Sequence, residues 1–586
     1  MPFRAPQSKT WYPRVHVWKG AAVTRLSGAA GVVASAMIAA QVSAQVPAQV
    51  PRDSSNAAVP YVSALITVGG QAADRLRLEH LAGRRAPDGF LIRSASSLSP
   101  ALEGRHWFKA ALIAPEYYAA NNSALPFSIN DGTVWAGVGT TQRVLAGVRL
   151  SAGPVHLILA PEFIDAENAF FRLRDTVRFY APPIVPERRG GGFVFPWYIA
   201  PYSIDLPLRF GDKPIRRIDA GQSTAMLAVR GLGVGVSNEH QWWGPGIRNA
   251  LILSNNAPGF PHLFLRTENP WRNRFGSVEA RLLVGGLTES RFFDTTSTNN
   301  LRSISAVAVT FQPNIAKSVV VGASRSVFAT SRGWDRIPGR LLDAFAATGR
   351  PNNRPLADSS LTPGGRDQIF SLFGRWVLPD DGFEAYAEWA RTEFPISLRD
   401  LLVAPNHTQG YTLGLQWNRQ ALRPQGRVRL QGELTSVEQS PTFRDRPQGS
   451  FYTSRRVIQG YTQMGEPLAA AIGPGASGQW LAADYLEPTW SFGIFAGRIR
   501  WNEDIHSTYG FPIYVGYCVH DISVFPGARA FAGGRFGYIS ADVSFGNRLN
   551  AFFQEQSGCP KGNSILDIRN RTITLTVGTF TPGLPR

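Results

Sequence analysis

Between Arg427 and Leu434 the chain reads RVRLQGEL, and the side chains change character at every step. Arg427, Arg429, Gln431 and Glu433 fall on one face of an extended backbone, and Val428, Leu430, Gly432 and Leu434 fall on the other. A helix would scatter these two sets around its circumference, whereas a strand sends successive side chains to opposite faces. The period recurs in YTLGLQWN, where Tyr411, Leu413, Leu415 and Trp417 oppose Thr412, Gly414, Gln416 and Asn418. It recurs in FEAYAEWA, where Phe383, Ala385, Ala387 and Trp389 oppose Glu384, Tyr386 and Glu388. In GIFAGRIRW the same reading sets Phe495, Ile499 and Trp501 against Arg498 and Arg500. A chain with this repeat folds as antiparallel sheet with one apolar and one polar face.

Either face of such a sheet can meet the bulk medium: water on the polar side of a soluble fold, or lipid on the apolar side of a barrel. The first residues favour the barrel. Arg4, Lys9, Arg14, Lys19 and Arg25 stand without an acidic neighbour, Leu26 to Ala40 is apolar and small, and Val42-Ser43-Ala44 offers a cleavage site. Residues 1–44 therefore read as a secretory signal peptide. Its apolar run is shorter than the ~20 residues that span a bilayer as a helix, and no later run reaches ~18. An exported chain with alternating strands, aromatics at strand ends and loops of alternating length is expected in the bacterial outer membrane, with outer-membrane lipid and the barrel-assembly machinery as partners.

Residues 45–60 form a Pro/Ala/Gln-rich linker. In residues 61–130, Ala73, Leu76 and His80 together with Leu78 and Leu81 lie near helical spacing and Gly83 ends the run, so a small helical or mixed periplasmic segment is expected. The barrel is expected over residues 131–586. Its connections alternate: a tight turn at Pro379 to Gly382, a long loop from Glu393, a short connection near Arg423-Pro424, and a long excursion from Val437 to Gly478. Another short link follows at Leu486-Glu487-Pro488, then a long loop from Glu503. At about 25 residues per strand with its connection, this gives an all-β, antiparallel transmembrane barrel of about 16–18 strands, even in number. The two cysteines, Cys518 and Cys559, fall on the long-loop side, where they would either bridge neighbouring outer loops or remain unpaired thiols. The last strand, from Arg571 to Phe580, returns to the periplasmic side with Thr574, Thr576, Gly578 and Phe580 on one face.

Familiar catalytic signatures are missing. Gly221-Gln222-Ser223-Thr224-Ala225 lacks the second glycine of a nucleophile elbow, and there is no H-E-x-x-H, phosphate-binding G-x-x-x-x-G-K or zinc-spaced cysteine pair. Glu239-His240 has no identifiable third partner, so no enzyme, metal or cofactor is expected. The positive chemistry lies in the lumen, where Glu384, Glu388, Arg427, Arg429, Glu433, Arg498 and Arg500 are expected. Charges there either pair across the barrel or present a surplus positive field to an anionic solute. The formal net charge of +18, carried mostly by arginine, falls to 18 − 5 = +13 without the five basic residues of the signal peptide, and this favours some surplus. No nucleic-acid partner is expected.

Three blocks resemble the capsule assembly protein family of the Wzi type. The first is Gln241-Trp242-Trp243-Gly244-Pro245-Gly246 followed by Leu251-Ile252-Leu253-Ser254-Asn255-Asn256 and Arg266; the second is Asn130 to Gly139 with Leu159-Ala160-Pro161-Glu162; the third is Phe383 to Arg391. The resemblance implies an outer-membrane barrel of about 18 strands that attaches acidic capsular or exported polysaccharide as a lectin, without catalysis. It assigns no sugar contacts. Candidates for those are Arg336, Tyr452, Arg455, Arg456 and Tyr461 in the outer loops, where aromatic faces would stack on sugars and arginines would pair with uronates. A porin or substrate-specific channel has the same topology and stands as the alternative. Trp242 and Trp243 are read as anchors of a packed return of the chain or as membrane-interface residues, and Asn255 and Asn256 as satisfying backbone groups freed by Gly244-Pro245-Gly246.

Overall fold

In the computed structural model the described residues are 61–63, 65–102, 106–171, 204–293, 297–346, 365–395, 397–421, 423–446, 448–454, 456–504, 520–534, 536–553 and 567–579. The signal peptide, the linker, Arg455, Cys518, Cys559 and Phe580 lie outside them.

The alternating segments assemble into a closed antiparallel barrel of 18 strands. Closure is direct, because the last strand, Ile568–Gly578, pairs with the first, Phe108–Asn122, from Thr572↔Asn122 to Gly578↔Glu116. Three wall strands are interrupted: Val155–Leu159 and Glu162–Ala166 act as one broken strand, Ile215–Asp219 with Thr224–Val229 as another, and His262–Thr267 with Trp271–Arg272 as a third. Tight turns such as Gly153-Pro154, Arg230-Gly231 and 379–382 gather at one end and long loops at the other, so each hairpin follows the parity of an outer-membrane barrel.

Burial divides the faces as the alternation requires. Thr412, Gln416, Glu384, Glu388, Arg429 and Glu433 are buried in the lumen, while Leu413, Leu415, Leu430 and Leu481 on the other faces are exposed. No helix among the described residues is long and apolar enough to cross a membrane; the strands make the crossing. A closed sheet with an apolar outer surface leaves no backbone group unpaired in lipid, and this chain is a bacterial outer-membrane protein.

Two expectations are corrected. The barrel begins at Phe108, not at Asp131. A register shift between Ile113 and Glu116 slips the inward face by one residue, which hides the period in FKAALIAPEYYAANN. Residues 61–130 are accordingly not a separate periplasmic unit. Tyr61–Ser63 pairs parallel with Ala111–Ile113, along the edge that the last strand leaves free. The helix α1, Gln71–Leu81, sits in the turn-side mouth of the lumen. It buries Ala73, Arg77, His80 and Leu81, one stripe at helical spacing, and Gly83, at φ +68°, ends it.

The wall strand Trp490–Trp501 is also inverted relative to expectation. Ile499 is buried, and Phe495 and Trp501 pack with it on the apolar core inside the barrel, while Phe492 and Ile494 are exposed on the face shared by Arg498 and Arg500. Arg498 and Arg500 therefore point outward near the outer rim. Arg498 donates to Gln479 Oε1 at 2.9 Å, and Arg500 is paired with Glu438. The reason is the filling of the lumen, which is apolar at this height.

Candidate functional site

The stretch from Asn238 to Pro261, which links Leu232–Ser237 to His262–Thr267, turns inward and fills the barrel. Gly244 makes the turn possible at φ +114°; a β-carbon there would lie 2.7 Å from Glu388 Oε2. Wall carboxylates then receive the backbone that the turn frees. Glu433 accepts the amides of Ile247 (2.6 Å), Arg248 (3.0 Å) and Asn249 (2.8 Å), and Glu388 accepts that of Leu251 (3.2 Å). Three consecutive amides on one carboxylate form an anion nest turned to a structural use.

Trp243 is fully buried, and Trp242 packs with Val68 and Ala250 beneath the Arg93 guanidinium, 5.3 Å from its ring. Both tryptophans lie in the lumen, away from the membrane interface. Gln241–Trp243 forms a short antiparallel ladder with Ile92–Ser94. Ser254, Asn255 and Asn256 tie three distant segments together. Ser254 Oγ donates to Ala469 O (2.6 Å), Asn255 Nδ2 to Asn130 O (2.8 Å) and Val68 O (3.2 Å), and Asn256 Nδ2 to Pro467 O (3.0 Å). They satisfy backbone groups of other segments rather than those next to the glycine break. Arg266 holds the amino-terminal segment, donating to Ser96 Oγ at 2.6 Å and pairing with Glu268 at 2.7 Å.

A second inward excursion, the described residues of 437–446, 448–454 and 456–476, completes the plug. Phe451, Tyr452, Val457, Tyr461, Leu468 and Ile472 join Trp243 and Leu251–Leu253 in one core against wall residues Leu283, Ile304, Phe328 and Ile369. Tyr452 and Tyr461, expected to stack on sugars, are inaccessible there, at 1% and 0% exposure. Of the other outer-loop candidates, Arg456 donates to Arg366 O at 3.2 Å, and Arg336 is exposed on a short 3-10 turn.

The wall charges at the turn side are internally paired. Arg77 of α1 and Arg375 share Glu384, and Arg429 bridges Asp74 (2.7 Å) and Asp484 (2.9 Å). Arg427 bonds Asn418 Oδ1 at 3.1 Å. Glu239 and His240 do not form an acid–base pair. Glu239 accepts from Ser96 N and Oγ at 2.8 Å, whereas His240 Nδ1 meets Gln222 Nε2 at 2.7 Å. No group of three or more acidic, histidine or cysteine side chains suited to a metal occurs among the described residues.

Arg248 is one of the guanidinium groups without an ion pair among the described residues. It lies 4.3 Å over the Trp480 ring, which also stacks with Phe495 at 4.7 Å and meets Phe525 and the Arg529 guanidinium. Burial, then the neighbouring Arg529, lowers its pKa from the usual arginine value. Arg248 borders a cavity of ≈ 280 Å³ between the plug and the wall strands Asp521–Gly534, Gly537–Leu549 and Ile568–Gly578. The wall supplies alternate polar residues, Ser540, Asp542 and Ser544 on one strand and Thr572, Thr574 and Thr576 on the next. Asp542 Oδ1, Asn130 Oδ1 and Asn255 Oδ1, on residues bordering the cavity, are buried without a hydrogen-bond partner among the described residues. Arg529, also at its edge, is already committed to Asp484 at 2.7 Å. The cavity thus combines a cation on an aromatic platform with spare acceptors and hydroxyls, a set suited to a small polyhydroxylated anion.

None of Arg248, Trp480 and Asp542 stands out in the sequence as a site residue. The common face of Thr574 and Thr576 is legible there; that it looks into a cavity depends on what packs opposite.

No protein-family model and no curated protein matches the chain. Among solved structures it is similar to Wzi of Escherichia coli, described as a carbohydrate-binding outer-membrane β-barrel involved in group 1 capsule assembly, at 12% identity and a TM-score of 0.48, covering 80% of this chain and 85% of that one. It is similar also to OprD of Pseudomonas aeruginosa (11% identity, TM-score 0.36, 80% and 92% covered) and to OccK7 of the same organism (10%, 0.34, 80% and 98%).

Proposed function

We propose that this barrel is a non-catalytic outer-membrane receptor for an acidic capsular or exported polysaccharide, with the lumenal cavity taking an acidic sugar unit. The observation that carries the reading is Arg248: a guanidinium without an ion-pair partner among the described residues, held on Trp480 at the edge of a polar cavity. A uronate carboxylate would complete its charge, and sugar hydroxyls would meet the acceptors and hydroxyls of Asn130, Asp542, Thr574 and Ser540. The plug counts against an open pore, because two excursions of the chain share one apolar core inside the wall.

The test is binding of the purified protein to acidic polysaccharide across a salt series. Saturable binding that weakens with salt is expected. Arg248→Ala removes a charge-assisted contact of about 1.5–3 kcal/mol, so affinity is expected to fall about 10- to 100-fold with the barrel still folded. Absence of saturable binding at every salt concentration overturns the proposal.

A further inference from the structure

The described first part of the outer loop after Val319–Thr330, residues 331–346, lies along the outside of the wall. On Leu301–Pro313, Arg302 faces the lumen, where it bonds Gly460 O of the plug at 2.8 Å, so Ser303, Ser305 and Val309 face outward. Ser305 Oγ donates to Leu341 O at 2.8 Å and accepts from Ala344 N at 3.0 Å. On the next strand Phe328 faces the plug, 5.2 Å from Tyr461, which turns Arg325 outward; Arg325 donates to Ala344 O (2.9 Å) and Ala346 O (2.7 Å). A β-carbon on outward-facing Gly286 would run into Trp334 and Ile337. The 3-10 turns Trp334–Arg336 and Pro338–Phe345 thus cover a strip of wall that carries Ser305 and Arg325, polar side chains that lipid would leave unsatisfied.

A second loop joins them. Phe394 stacks on outward-facing Phe370 at 4.2 Å with 4° between the rings, and Arg325 lies 4.9 Å over Phe394. The helix α2, Leu398–Val403, follows. Leu342, Phe345, Leu398, Leu402 and Val403 are each at least 61% exposed. Directly along the same strands the outward face continues through exposed Val309, Val321, Leu372 and Trp376, the band that meets lipid. The apolar surface of the two loops is continuous with that band, and the exposed Arg336 and Arg399 lie on the same elements, where headgroup phosphates would be.

We propose that residues 334–345, 394–395 and 397–403 form a collar that inserts into the outer leaflet beside the wall, so that the lipid-facing surface is taller here than around the rest of the barrel. This reassigns Arg336 from sugar to lipid headgroups, and it is independent of the saccharide site.

The test uses the full-length protein with Cys518→Ser and Cys559→Ser, carrying a nitroxide at Leu342→Cys or Leu402→Cys, in phosphatidylcholine–phosphatidylglycerol vesicles. Both labels are expected to be open to oxygen and shielded from a water-soluble nickel chelate, with an accessibility ratio within about twofold of a Leu372→Cys label on the lipid face. A label at Asp381→Cys, in a tight turn, reports the aqueous limit. Nickel accessibility matching Asp381→Cys overturns the collar. Shielding from both reagents also overturns it, in favour of contact between protein copies.

Discussion

Arg77 reaches from α1 across the lumen mouth to Glu384 on the wall, its Nε 3.0 Å from Oε1, with side chains only 4% and 0% exposed. Glu384 also receives Arg375 at 2.9 Å and Gln416 at 2.9 Å, so one carboxylate holds two buried cations and fixes the helix to the barrel. Glu384→Gln leaves both guanidinium groups short of their counter-charge. A loss of about 3–5 kcal/mol is expected, because uncompensated buried charge is costly. Urea unfolding in detergent, followed by tryptophan fluorescence, measures it.

The same cluster imposes a pH dependence. His80 accepts from Arg375 on Nδ1 at 2.9 Å, and burial first, then Arg375, pulls its pKa down to about 2. Below ~6.5 the unfolded chain takes up a proton that the folded chain refuses. Its contribution is therefore fully present above that value and is lost as pH falls toward the folded pKa, by up to about 1.4 kcal/mol per pH unit. His80→Asn should flatten the stability profile between pH 6.5 and 4, read from urea midpoints at each pH.

Glu433 is expected to set the local stability of the first plug segment. Glu433→Ala removes the shared acceptor of Ile247, Arg248 and Asn249, and each charged hydrogen bond contributes about 1.5–3 kcal/mol. Hydrogen exchange should accelerate in peptides covering residues 244–252 and stay unchanged in the strands.

Tyr461 separates packing from recognition. Tyr461→Phe should leave polysaccharide affinity unchanged, since the ring has no exposed surface. Tyr461→Ala opens a cavity in the plug core and should cost about 3–5 kcal/mol, read by the same unfolding assay.

Planar-bilayer recording tests the plug as a whole. The native protein is expected to show no steady large conductance, and deletion of residues 456–474 is expected to produce one, because that segment occupies the lumen core. A large steady conductance from the native protein would favour the channel reading.

Alternation is a local property, which is why the wall is legible in Phe383 to Arg391 and Arg427 to Leu434: a side chain's face follows from its own position in an extended backbone. The tight turns and long loops likewise predict the parity and the count of strands. Which face looks inward is another matter where the lumen is not polar. Phe495, Ile499 and Trp501 meet the plug, so the usual rule of polar inside is reversed and Arg498 and Arg500 turn out toward the rim. Tyr452 and Tyr461 read as loop residues because nothing nearby in the chain shows that residues 437–476 fold back into the barrel. The cavity beside Arg248 is more remote still from local pattern, joining residues from Asn130 to Thr576. The sequence by itself determined most of the wall strands, the alternation of their short and long connections and the membrane they cross, through short-range periodicity. Tertiary structure decided what fills the lumen and that Arg248 stands beside a cavity, since these depend on contacts between segments hundreds of residues apart.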